Sequence, residues 1–76
     1  MKEDIKRIMA AVFQVDMGSI FDDISYGNNE KWDSIHHLNL IVELESHYGV
    51  LFEPEEIQKM INIDSILSCI EQKKIR

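Results

Sequence analysis

Between Ile35 and Tyr48 the apolar residues recur at helical spacing, yet they occupy two separate arcs of the helix instead of one. At about 100° per residue with Ile35 at zero, Leu40, Ile41, Leu44 and Tyr48 cover roughly 140° to 240°, and Leu38, Val42 and Ile35 roughly 300° to 360°. His36, Asn39, Glu43, Ser46 and His47 gather between about 20° and 120°, a solvated face. A helix in a small bundle needs one apolar stripe of somewhat over 100°, and this one carries about twice that. Glu45, near 280°, lies between the arcs, and a carboxylate is costly to bury unpaired. Leu40, Ile41, Leu44 and Tyr48 are therefore expected in the core. Ile35, Leu38 and Val42 are expected to form a second, partly exposed strip.

The rest of the chain supplies helices to pack against the core arc. Ile5, Ile8, Met9 and Val12, with Phe13 beside them, predict an amphipathic helix over residues 3–15. Residues 16–32 break the pattern: Gly18, Gly27, Asn28 and Asn29 are turn signals, and Ile20, Phe21, Ile24 and Tyr26 are expected to peg the loop down. The next helix begins at Asp33 or Ser34 and ends at Tyr48, because Gly49 can take the left-handed conformation that stops a helix. Pro54 suits a first helical position, with Glu55 and Glu56 where the dipole favours negative charge, and opens one or two turns. The last helix is expected over residues 64–73, capped by Asp64. Residues 49–52 read as briefly extended. The fold class is all-α, a small bundle of three main helices plus one short helix, with a long loop between the first and second helices. At 76 residues the chain is expected to be a single domain over 1–76 with a thin margin of stability.

Charge narrows the range of partners. Fourteen acids and eight bases give a net charge of −6. The bases crowd the two ends, so between Ile8 and Gln72 only Lys31 and Lys59 stand against twelve acids, a net of −10. Nucleic acid and anionic lipid both need a basic face, so neither is an expected partner, whereas a basic protein patch is attracted. The single Cys69 excludes an internal disulfide and fits a reducing cytoplasm. The N-terminal stretch has no apolar run of the length a signal peptide or membrane span needs, so an unprocessed, cytoplasmic monomer is expected. Met9, Met17, Met60 and Cys69 are expected as core filler.

The tripeptide Asp-Ser-Ile occurs twice, at residues 33–35 and 64–66, each time before an apolar helical pattern. Asp and Ser are ordinary helix starters. In the last helix Ile63, Ile66, Leu67 and Ile70 form one stripe sufficient for a core face, and Ser65 points away from it. In the longer helix Ser34 lies beside the surplus apolar strip, at a helix N-terminus where an attached phosphate meets free N–H groups and the positive end of the dipole. Neither copy meets the requirement for a capping box when Asp33 or Asp64 is taken as the cap, since His36 and Leu67 stand three residues on. Trp32 can anchor the loop against the helix.

The stretch from Trp32 to Val50, with Asp33-Ser34-Ile35 followed by an apolar helix and a late Glu45, resembles the signature of the acyl carrier protein and peptidyl carrier protein family. The likeness extends over nearly the whole chain in the order of its helices. It implies a carrier without catalytic activity of its own. The serine matching Ser34, preceded by Asp33, would be modified by a phosphopantetheinyl transferase. This enzyme transfers 4′-phosphopantetheine from coenzyme A, and the thiol of that arm holds an acyl or aminoacyl group as a thioester. Ile35, Leu38, Val42 and Glu45 match the positions where the family's partners dock, among them loading ligases and downstream biosynthetic enzymes with basic patches. Lys31, Trp32, His36, His37 and Asn39 depart from the fatty-acid carriers, and the tryptophan before the motif looks more like specialised acyl, peptidyl or D-alanyl carriers, which implies a dedicated pathway.

Other readings carry less. Asp33, Ser34, His36 and His37 contain the residue types of a hydrolytic triad, but neighbours on one helix diverge where a triad converges. His36, Glu43 and His47 share a face, although His36 and His47 are three turns apart, which leaves room only for a two-ligand surface metal site. The competing class is an unmodified helical adaptor that binds a protein through the Ile35, Leu38 and Val42 strip.

Overall fold

The computed structural model describes residues 2–74, so Arg76 of the basic C-terminal end lies outside the described residues. Its helices are α1 (Lys2–Phe13), α2 (Ser34–Tyr48), α3 (Pro54–Lys59) and α4 (Ile63–Lys74), with a 3₁₀ turn at Met17–Ser19 in the loop between α1 and α2. The architecture is all-helical as expected. Residues 49–52 form no strand, and β structure among the described residues is one isolated bridge, between Ser25 and Asn62.

Helix α1 buries Ile5, Met9, Ala10 and Phe13. It stops two residues earlier than its periodicity suggests. Gln14 takes a left-handed φ of 58°, and the Val15 N–H reaches back to the Ala10 carbonyl at 3.0 Å, the hydrogen bond of a Schellman stop. In α2 the same motif uses glycine, with Gly49 at φ 67° and the Val50 N–H on the Glu45 carbonyl at 3.2 Å.

The loop is held less by apolar pegs than its composition suggests. Ile20 and Ile24 are buried, but Phe21 is exposed, and Tyr26 and Met17 are largely exposed too. Polar contacts do the remaining work. Asp22 pairs with Lys6 and, at 3.9 Å, with Lys2 on α1. Asn28 accepts the Ser25 N–H at 2.9 Å and donates to the Asp23 carbonyl at 3.0 Å. The Tyr26 N–H donates to the Ile61 carbonyl at 2.8 Å, which ties the loop to the link between α3 and α4.

Helix α4 begins at Ile63, so Asp64 is not its cap as expected from sequence. Asn62 is: its side-chain oxygen accepts the Ser65 N–H at 2.8 Å, and Ser65 Oγ accepts the Asn62 N–H at 3.1 Å. This reciprocal pair has the logic of a capping box, with serine in the place of glutamate. At α3 the Glu53 N–H donates to Glu56 at 2.7 Å, and Glu56 also meets Lys73 of α4 at 2.8 Å.

The buried side chains form one cluster drawn from α1, α2, α4, the loop and the residues flanking α3, with Trp32, Phe13, Leu40, Leu44, Met60 and Ile66 among them, and Ile57 of α3 packs against it half-buried. On α2 the two arcs separate as the wheel predicts. Leu40 and Leu44 are fully buried and Ile41 nearly so, whereas Ile35 is 69%, Leu38 58% and Val42 60% exposed. Tyr48 is half-buried at the edge of the core. Because Leu44 fills the core and Val42 touches little of it, Leu44→Ala should cost about 2 to 5 kcal/mol and Val42→Ala a small fraction of that. Thermal and denaturant melts of the two variants check the order.

Candidate functional site

Trp32 ends the loop one residue before the cap of α2, and its indole is buried. A buried indole N–H needs an acceptor. It finds His37 Nδ1 at 2.9 Å, which forces the other proton of that imidazole onto Nε2, and Nε2 donates to the Ile57 carbonyl of α3 at 3.0 Å. His37 thus bridges the loop, α2 and α3. Tyr26 packs edge-on against it at 5.4 Å between ring centroids. The wheel places His37 near 200°, inside the core arc. That position is the signal that could have marked it as structural.

Asp33 is the cap. Its Oδ1 accepts the His36 backbone N–H at 2.9 Å and the His36 ring Nδ1–H at 2.8 Å. These contacts, the backbone one foremost, hold the Asp33 carboxyl below the usual carboxylate range. His36 is half-buried, its ring edge-on to Phe13 at 6.0 Å, so it is not the freely solvated residue that the wheel suggests. The two adjacent histidines therefore hold opposite tautomers, and each ring is committed to a contact within the chain. No convergent triad forms around Ser34. No group of three or more His, Cys, Asp or Glu among the described residues is placed to hold a metal ion.

Ser34 is the first residue of α2 and is exposed, as are Ile35, Leu38 and Val42 on the adjoining strip. Glu45 sits differently. It is half-buried and accepts the Phe52 N–H at 2.9 Å, so one of its oxygens braces the connection to α3. The second tripeptide is closed off: Ser65 Oγ accepts from the N–H groups of Ile61 and Asn62 and donates to the Asn62 carbonyl at 3.0 Å. Cys69 is buried, and burial pushes its thiol pKa up, away from reactivity.

Two concavities border α2, one near its start and one at its middle. A slot of about 250 Å³ between the loop, α2 and α3 is lined by Tyr26, His37, Ile57, Gln58 and Ile61. An open groove of about 540 Å³ between α1 and α2 includes Ile8, Val12 and Val42, and so continues the exposed strip onto α1. No helix among the described residues is long and apolar enough to cross a membrane.

No family model matches the chain. It is similar to the acyl carrier protein of Thermosynechococcus vestitus, 30% identical over 71 residues, covering 93% of this chain and 88% of the relative. It is also similar to that of Helicobacter pylori (strain G27), 27% identical over 73 residues, covering 96% and 94%. Among solved structures it matches the solution structure of a holo acyl carrier protein from Geobacter metallireducens with a TM-score of 0.84 and 32% identity, over 99% of this chain and 86% of that one.

The depressed pKa of Asp33 makes a prediction of known sign. The stabilisation that its charged form gives is fully present above the ordinary carboxylate pKa of about 3.9 and is lost as pH falls through the lower folded-state value. Asp33→Ala should therefore lower the melting temperature most near neutral pH, with the gap to wild type closing in strong acid. Melts taken from pH 2 to 7 check this.

Proposed function

The chain belongs to the acyl carrier protein family, and from that premise we propose that its 4′-phosphopantetheine arm is attached to the Ser34 hydroxyl. There it holds acyl or aminoacyl intermediates as thioesters and carries them between biosynthetic enzymes. The protein is a carrier, and the reading extends this to a single carrier domain over residues 1–76 with no reaction of its own to catalyse.

One observation carries the choice of residue. Of the two serines in an Asp-Ser-Ile setting, Ser34 is exposed at the first position of a long helix, and Ser65 has its oxygen enclosed by three local hydrogen bonds. The residues at the first site fit the group. A phosphodiester on Ser34 lies at the positive end of α2. Asp33, braced by His36, holds the first turn in place. The arm supplies a terminal thiol and reach, and tethering raises the effective concentration of its cargo at each partner.

The exposed strip of Ile35, Leu38 and Val42 supports docking of the phosphopantetheinyl transferase, the loading ligase and downstream enzymes. Apolar patches of this kind mark interaction sites, and the acidic surface around the strip favours partners with basic patches. Glu45 contributes at the edge of this surface through whatever acceptor capacity Phe52 leaves it. The loop residue Trp32 and the pair His36 and His37 support a specialised pathway over general fatty-acid synthesis, acting in the cytoplasm.

Incubation with coenzyme A and a broad-specificity phosphopantetheinyl transferase, followed by intact mass measurement, tests the assignment. Wild type and Ser65→Ala should each gain one phosphopantetheinyl group, and Ser34→Ala none. Absence of gain in wild type would favour an unmodified adaptor using the same strip, and gain by Ser34→Ala would refute the assignment to that serine.

A further inference from the structure

The slot bordered by Tyr26, His37, Ile57, Gln58 and Ile61 opens one helical turn from Ser34, since residues three apart on a helix are neighbours on its surface. It lies within reach of a group tethered there on a flexible arm. Behind it lies the apolar core, with Trp32, Met60 and Ile63 buried to 1% exposure or less. A hydrocarbon on the end of a flexible arm gains free energy by leaving water, in proportion to the area buried. Whether it can enter the core depends on what closes the seam between α2 and α3.

His37 closes it. Its ring spans the seam with a hydrogen bond at each nitrogen, to the Trp32 indole on one side and to the Ile57 carbonyl on the other. The Ile57 carbonyl lies in the last turn of the short α3, where it accepts one backbone hydrogen bond, from the Met60 N–H at 3.2 Å, and the His37 ring supplies a second donor. Swinging His37 aside would break both bonds and leave the buried Trp32 N–H unsatisfied, a cost that is set against whatever a tethered chain gains by leaving water. At about 250 Å³ the slot that remains is smaller than the usual range for ligand pockets. Its free polar groups are the Tyr26 hydroxyl and the Gln58 carboxamide, because both nitrogens of His37 are already in use.

We propose that His37 limits the cargo of this carrier. By bolting α2 to α3 beside Ser34, it keeps the tethered group outside the core and suits the protein to short, polar acyl or aminoacyl thioesters instead of long hydrocarbon chains. The proposal rests on Ser34 as the attachment site.

The test loads wild type, His37→Ala and Trp32→Phe with acetyl- and octanoyl-phosphopantetheine, using the corresponding acyl-coenzyme A compounds and a broad-specificity transferase, with intact mass and peptide mapping to establish attachment at Ser34. Thioester cleavage by neutral hydroxylamine and the melting temperature of each form are then measured. In wild type the two acyl forms should cleave at rates within about twofold of each other and melt together, since a cargo held in solvent is neither shielded nor stabilising. In His37→Ala the octanoyl form should cleave about fivefold more slowly than the acetyl form and melt higher, as a buried population requires. Trp32→Phe keeps an aromatic ring in the core while removing the donor to His37, and should shift in the same direction. Wild-type protein that already shields octanoyl as strongly as the variants do would overturn the proposal. So would variants that fold and shield neither cargo. Mass gain absent from Ser34 would overturn the attachment site and this inference with it, an outcome distinct from the other two.

Discussion

The hydrogen bond from the buried Trp32 indole to His37 organises the functional end of this molecule. An indole has one polar atom, and placing it in a core obliges the chain to supply an acceptor there. Supplying it from α2 fixes the tautomer of His37 and leaves its second nitrogen as a donor, which finds a carbonyl on α3. One buried side chain thereby ties the end of the long loop, the second helix and the short third helix together. Ser34 follows Trp32 by two residues, so its position at the head of α2 is set by the same contact.

Helix α2 carries apolar residues on two faces, and only one of them enters the core. Leu40, Ile41 and Leu44 give it a core contact of ordinary width. Ile35, Leu38 and Val42 are apolar without being buried, a state that costs solubility and is tolerable in a small patch on a chain of net charge −6. Changes on the first face act on stability, and changes on the second leave the core contact untouched.

The two Asp-Ser-Ile copies show how little a tripeptide says by itself. In α2 the aspartate is the cap, so the serine falls at the first helical position with its hydroxyl outward. In α4 the cap is Asn62, which shifts everything by two residues and puts Ser65 at the third helical position, where a side chain folds back on the cap. The same three residues are an accessible hydroxyl in one place and a closed cap in the other.

Helical periodicity, with Pro54 and Gly49 as start and stop signals, determined the number and order of the helices and the division of α2 into a buried and an exposed arc, because these depend on residues along one chain segment. The resemblance carried by residues 32–50 singled out Ser34. Tertiary structure decided what depends on contacts across segments. Phe21 looks like an anchor in the loop but is exposed, and ion pairs to α1 and a backbone bond to Ile61 reinforce the hold of the buried Ile20, Ile24 and Trp32 there. Glu45 reads as a surface charge but turns one oxygen to Phe52. His36 and His37 are adjacent and chemically identical, and only their neighbours, Asp33 on one side and Trp32 with Ile57 on the other, make one the brace of the cap and the other the bolt of the α2–α3 seam.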